Sequence, residues 1–305
     1  LMEVYFRKAY PPSMEGNFGR CYLDDDRVIR DGLSLRIKAF RSFLRDNGID
    51  SKVPFNLPHR VAAARAGMGT FGKNCLFYSN KVARRGSWTL PIAVVIDREF
   101  EAGVPTMEIG CPDWCKNTCI VACPTNALKG NSRIDPRKCI SYLTYFGEGI
   151  TPLEIREPMG MYVYGCDRCQ NVCPRNQPWL AQGLAMNEKV VAKEKNFDLR
   201  RLLHMDRDYF ESKVWPHMFY MYYKDIWRWK MNVARVMGNS RDETYFTDHI
   251  RAVKDNSDER GRGMAIWAMS KIGGAEVMAA IEGHDDITSD LVKEEIQRAK
   301  AAKGG

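Results

Sequence analysis

Eight of the ten cysteines fall between Cys111 and Cys173, and their spacing is the feature of the chain most able to do chemistry. The first set runs Cys111-x3-Cys115-x3-Cys119-x3-Cys123-Pro124. The second opens at Cys139 and, after a long insertion, closes as Cys166-x2-Cys169-x3-Cys173-Pro174. Thiolates are soft ligands that select iron–sulfur clusters or zinc. Structural zinc favours paired C-x2-C knuckles, and clustered cysteines in a chain without a visible export signal point to metal ahead of disulfides. Two four-cysteine sets that each end in Cys-Pro fit a pair of [4Fe–4S] clusters, with zinc and disulfides as the competing assignments. Close spacing lets one loop wrap three corners of a cube, and the last cysteine of each set, at the start of a helix, reaches the other cube. On that crossover Cys111, Cys115, Cys119 and Cys173 ligate one cluster, and Cys123, Cys139, Cys166 and Cys169 the other.

The pattern is that of a bacterial two-cluster ferredoxin domain, with one departure. The first set is spaced x3-x3-x3, where the usual run is x2-x2-x3. Two cubes in one small domain make an electron relay, and a relay needs an endpoint. Arg65-Ala-Gly-Met-Gly-Thr-Phe-Gly-Lys-Asn-Cys75 puts Gly67, Gly69 and Gly72 within six positions, and glycines permit close backbone approach to a ligand. The segment is no dinucleotide fingerprint, because a helix and not a strand is expected before it. It is no P-loop either, because Asn74 follows Gly72-Lys73. Taken alone it is equally a plain turn.

The elements that must hold these residues divide the 305-residue chain in three. Residues 1–107 mix helix and strand signals. Apolar residues from Val28 to Leu44 recur near a helical period and predict a helix over 26–47, closed by Asn47-Gly48. A second helix is expected over 59–68, and Trp88–Ile96 reads as a buried strand in which Pro91 marks an edge position or a bulge. Residues 108–178 hold the cysteines, and 179–197 read as a linker. From 198 to 305 the chain is helical, and Trp229–Gly238 resembles Met264–Gly273 as two amphipathic helices each stopped by glycine, a pattern of short HEAT-like repeats. The formal charge of +8 sits toward the front: 17 Lys/Arg against 11 Asp/Glu in 1–107, 11 against 9 in 108–197, 18 against 18 beyond. That suits a polyanionic partner without requiring one. No apolar run is long enough for a membrane span, and no leader is visible, so a cytoplasmic protein is expected.

Five segments together resemble the epoxyqueuosine reductase family. They are Ala-Ala-Arg-Ala-Gly-Met-Gly-Thr-Phe-Gly-Lys-Asn (63–74), Gly86-Ser-Trp88, Cys-Pro-Thr-Asn-Ala (123–127), Asp135-Pro-Arg-Lys-Cys-Ile-Ser-Tyr-Leu-Thr144 and Tyr164-Gly-Cys-Asp-Arg-Cys-Gln-Asn-Val-Cys-Pro-Arg-Asn176. The resemblance implies an α+β chain: an α/β cobalamin-type domain (1–107, N-terminally truncated here), the two-[4Fe–4S] domain (108–178) and a helical HEAT-like domain (179–305). It implies a cobalamin- and iron–sulfur-dependent reductase, fed by an external low-potential electron donor, that reduces the epoxide of epoxyqueuosine in tRNA. A monomer without membrane contact is expected. Gly67, Gly69, Gly72, Lys73, Ser87, Ser141, Asp167 and Arg168 would lie near the corrin. The family's proton-donating Asp precedes the Ala-Ala-Arg-Ala-Gly helix. Here Asp50 takes that place if about three residues are inserted, and His59 is the nearest titratable alternative, with an ordinary imidazole pKa of about 6.5. The altered acid region and the neutral tail keep a second reading open: an electron-transfer or dehalogenase-like small-molecule reductase paralogue without tRNA activity. Arg133, Arg137 and Lys138 read either as phosphate contacts or as a solvated basic turn, the aromatic run from Tyr209 to Trp229 as helical core or a domain joint, and Cys21 and Cys75 as unligated.

Overall fold

The structure, a computed structural model, describes residues 2–4, 8–29, 32–54, 56–283 and 288–301. The chain forms two units. The first comprises Leu1–Tyr10, Arg20–Cys139 and Asp167–Glu188, the second Pro11–Gly19, Ile140–Cys166 and Lys189–Gly305. The long insertion that follows Cys139 is thus built into the second unit, with Cys166 as its last residue.

In the first unit the named strands are short and pair antiparallel in two-stranded ladders. The expected strand over 88–96 is two strands. Thr89–Pro91 pairs with Met2–Val4, and Val95–Ile96 pairs with Ser51–Lys52. The break follows Pro91, which has no N–H to continue a ladder. The expected helix over 26–47 is Asp26–Ile29 followed by Gly32–Asp46; residues 30 and 31 lie outside the described residues. It stops where read, at Gly48 with φ +70°, a left-handed position that glycine adopts at little cost. Of its apolar residues Leu33 and Leu44 are buried, while Leu35 and Phe40 are exposed. The helix after it is Pro58-capped His59–Arg65, shorter than 59–68. Its Ala63 and Ala64 are buried with Phe77.

The glycine segment is the first arm of a β-hairpin, Gly69–Phe71 against Phe77–Ser79. Its glycines answer to packing. A Cβ at Gly69 would stand 2.1 Å from the Tyr78 carbonyl, one at Gly72 2.6 Å from the Tyr78 ring, and one at Gly67, where φ is +68°, 2.6 Å from the Val104 carbonyl. The expected linker is pinned as well. Ala9 N–H donates to the Ala185 carbonyl and Asn187 N–H to the Ala9 carbonyl, at 2.9 and 2.8 Å. The same stretch carries the short helices Gln177–Leu180 and Glu188–Val191, and Val190 is buried.

In the second unit Ile226–Ser240 packs on Glu259–Ile272, which packs on Asp290–Ala301; Phe246–Asp255 and Ala275–Glu282 lie against Glu259–Ile272. Trp229, Val233, Val236, Met264 and Met269 fill the interior. Within the aromatic run Phe210 and Trp229 are buried, whereas Tyr222 and Tyr223 are exposed. Gly273 ends its helix with φ +81°, as the sequence suggests. Gly238 does not end one: it lies inside Ile226–Ser240, where a Cβ would stand 2.7 Å from both Cα and Cβ of Ala268. Gly238→Val is therefore expected to cost about 1–3 kcal/mol by overpacking this crossing, read as a lowered denaturant midpoint.

The insertion is stitched to the tail helices inside this unit. Asn232 donates to the carbonyls of Thr144 (2.9 Å) and Val163 (3.1 Å), and Asn239 to those of Arg156 and Gly160 (2.9 Å each). The buried Arg235 guanidinium donates to the carbonyls of Gly160 and Tyr162. Burial alone pulls its pKa down to about 9. Arg156 and Glu295, each 1% exposed at the side chain, form a two-pronged ion pair at 2.7 and 2.8 Å. Thr144 Oγ1 accepts from the N–H of Gly165, the residue before Cys166, at 2.9 Å.

Candidate metal centre

Two four-residue helices, Thr118–Val121 and Arg168–Asn171, pack together in the first unit and carry Cys119 and Cys169. Thr118 Oγ1 ties the first to the Val172 carbonyl beside Cys173, at 3.2 Å. The Cys119 thiol is pushed up to about 11 by burial and then by Cys173, Cys111 and Cys115. Cys119 therefore has as its electrostatic neighbours the three cysteines that the crossover groups with it. Ionised together, such thiols repel, so the set accepts a cationic metal core readily. Four thiolates on one zinc would stand about 3.8 Å apart at 2.3 Å bonds in a tetrahedron. Among the described residues no three His, Cys, Asp or Glu are gathered to hold a single metal ion. A donor set made of thiolates alone is the one that iron–sulfur clusters take.

Hydrogen bonds converge on the sulfurs. Lys73 N–H donates to Cys111 Sγ and Ala127 N–H to Cys123 Sγ, both at 3.3 Å, and Tyr78 Oη–H donates to Cys173 Sγ at 3.1 Å. Burial, followed by the charge of Cys173, keeps the Tyr78 phenol protonated. Arg175 lies 4.6 Å over the Tyr78 ring and donates to the Gly110 carbonyl at 2.9 Å, so it touches the residue before Cys111 and the tyrosine bonded to Cys173. Cys123, Cys139 and Cys169 belong to the first unit and Cys166 to the second.

The residues expected near a corrin take varied places. Gly69 and Gly72 lie in the hairpin, and Gly67 precedes it. Lys73 Nζ donates to Asn117 Oδ1 at 2.8 Å. Ser87 is buried: its N–H donates to Asn176 Oδ1, and its Oγ accepts from Gln170 and Asn176, all at 2.9 Å. Asp167 is buried and accepts from Arg20 N–H at 2.8 Å. Arg168 is half-buried at the start of its helix, and Ser141 lies in the second unit on Ile140–Phe146. Asp50 is exposed, its N–H bonded to Asp97 Oδ1 at 2.9 Å. His59 Nδ1 accepts from Ala93 N–H at 3.0 Å, and burial lowers its pKa. Both effects hold the imidazole neutral. Arg133, Arg137 and Lys138 are exposed. Cys21 is pushed up to about 12, by burial first, and stays a thiol. Cys75 is raised too, chiefly by burial and also by Cys139.

Sequence reasoning missed Tyr78, Asn74, Gln170, Arg175 and Asn176. All but Tyr78 lie inside the quoted segments, so the available signal was that those segments extend beyond their cysteines and glycines. Tyr78 has no local signature.

Residues 111–176 match the family pattern described as a 4Fe-4S double cluster binding domain. Fold and site thus define an iron–sulfur cluster-binding protein. Epoxyqueuosine reductase of Listeria monocytogenes is 30% identical over 268 residues, covering 85% of this chain and 66% of the relative. That of Staphylococcus aureus is 30% identical over 300 residues, covering 95% and 75%. A crystal structure of epoxyqueuosine reductase with an epoxyqueuosine-modified tRNA-Tyr stem loop superposes with TM-score 0.84 at 25% identity, over 100% of this chain and 81% of that one. The chain belongs to the epoxyqueuosine reductase family. It spans about two thirds of the length of the curated relatives it matches first, 65–66%. Among the described residues no helix is long and apolar enough to cross a membrane.

Proposed function

We propose that this chain is a cobalamin- and iron–sulfur-dependent reductase acting on epoxyqueuosine in tRNA, with two [4Fe–4S] clusters as its electron path. The single observation that carries the reading is the meeting of the family's separate motifs in the first unit. Ser87 of Gly86-Ser-Trp88 is bonded to Gln170 and Asn176, and the hairpin tip is bonded to the cysteines at Lys73–Cys111 and Asn74–Cys169. The eight cysteines hold the clusters in the crossed sets given above, the neighbours of Cys119 supporting the first set. Bound cobalamin would supply the low-valent metal that reduces the epoxide. Gly69, Gly72, Ser87 and Asp167 already have protein partners or packing neighbours, so they serve as backing for such a group, while Lys73, Arg168 and Ser141 are only half-buried. The 1–107, 108–178 and 179–305 divisions are functional: cofactor platform, relay and HEAT-like support. Of the two candidate acids Asp50 is the stronger, because His59 Nδ1 is occupied as an acceptor.

Anaerobically reconstituted protein is expected to hold about eight irons per chain and to carry cobalamin absorbance through gel filtration. It should then turn over epoxyqueuosine-containing tRNA, with Asp50→Asn losing turnover and His59→Gln retaining it. Two zincs in place of iron would reject the relay. Iron and cobalamin uptake without tRNA turnover would assign the chain to the electron-transfer or small-molecule reductase paralogues.

A further inference from the structure

The hairpin does more than brace the cysteine region. Tyr78 is 1% exposed, and its ring lies edge-on to Gly72, where any Cβ would stand 2.6 Å from its Cε2. The Arg175 guanidinium covers one ring face at 4.6 Å. At the hydroxyl, Asn74 Nδ2 donates to the oxygen at 2.8 Å, and the oxygen donates to Cys173 Sγ at 3.1 Å. Asn74 is itself buried and also donates to the Cys169 carbonyl at 3.3 Å. Asn74 fills the acceptor side of the phenol, so the phenolic hydrogen is left to the sulfur. The glycine, the amide, the guanidinium and the phenol form one assembly that aims a single O–H at a single cysteine.

We propose that Tyr78 is a redox-positioning residue: its hydroxyl hydrogen bond to Cys173 raises the reduction potential of the cluster that Cys173 ligates, and sets that cluster apart from its partner. The physical reason is charge. A one-electron reduction adds negative charge that is shared with the ligand sulfurs, and a donor aimed at a sulfur stabilises the reduced state more than the oxidised one. The electron comes from the external reductant; the phenolic proton stays on the Tyr78 oxygen, and no bond breaks. The inference rests on the iron–sulfur reading of the cysteines and not on the identity of the substrate.

The test uses the full chain reconstituted without oxygen and titrated with dithionite and mediators, each cluster followed by electron paramagnetic resonance. In Tyr78→Phe one midpoint is expected to move negative while the other stays, with iron per chain unchanged. Site-specific 3-fluorotyrosine at position 78, nearly isosteric and a stronger donor, is expected to move the same midpoint positive. A merely structural tyrosine would shift neither. Unchanged midpoints in Tyr78→Phe at full iron content would overturn the proposal. If Tyr78→Phe does not load iron, unchanged midpoints in the fluorinated protein would overturn it equally. A wild type that takes up no iron overturns the iron–sulfur reading and this inference with it.

Discussion

Glu295→Gln is expected to destabilise the second unit by about 3–5 kcal/mol, the cost of leaving one member of a buried ion pair without its counter-charge. The Arg156 guanidinium is held by Glu295 Oε1 and Oε2 and by the Thr151 carbonyl at 2.7 Å, with 1% of either paired side chain exposed. Glutamine keeps the shape and removes the charge that justifies burying the arginine. Arg298, which donates to Glu295 at 2.6 Å, loses the charge of one of its two carboxylate partners and keeps Glu294. The double variant Arg156→Met/Glu295→Leu discards both charges together and is expected to return to within about 1 kcal/mol of wild type, because desolvation offsets much of what such a pair contributes. Denaturant unfolding of the three proteins checks this. A double variant as weak as the single would show that geometry, and not unpaired charge, sets the loss.

The second large effect is on acid stability. His249 is fully buried on Phe246–Asp255, and neither ring nitrogen has a hydrogen-bond partner among the described residues. Burial, with a smaller contribution from His204, lowers its pKa from 6.5 to about 3. In the unfolded chain this imidazole takes up a proton near pH 6.5; in the folded chain it resists until about pH 3. The stabilisation from keeping it neutral is therefore complete above pH 6.5 and is lost as pH falls through that window. The depression corresponds to roughly 4–5 kcal/mol. His217, lowered to about 4 by burial and then Lys193, adds in the same direction but is only partly buried. Stability measured from pH 7 to pH 4 is expected to fall more steeply in wild type than in His249→Leu. Parallel slopes would show that His249 finds a proton partner that its present surroundings do not supply.

What the sequence revealed follows from how local each constraint is. A cluster-binding pattern is written in one residue type, so the eight clustered cysteines and the two Cys-Pro endings were plain in the chain itself. Gly48 and Gly273 were legible as helix stops because a left-handed φ is a local need. Gly238 misled, because its reason is Ala268, thirty positions away in the next packed helix. Gly69 and Gly72 invited a ligand-loop reading for the same reason: their neighbours are Tyr78 and Phe77, across a hairpin that periodicity does not announce. Pro91 signals an edge or a bulge in the chain, and the structure makes it the end of one strand, because the two strands around it pair with different partners. The 179–197 stretch looked like a linker because its anchors are backbone bonds to Ala9, which leave no mark in composition.

The bonds from Asn232, Arg235 and Asn239 to the carbonyls of residues 144–163 give the C-terminal helices a metrological role. They gauge the length and path of the loop that ends at Cys166, from sites 69 to 88 positions downstream of the carbonyls they hold. A chain cut before Ile226 would keep every cysteine and lose the ruler against which the last stretch before Cys166 is measured.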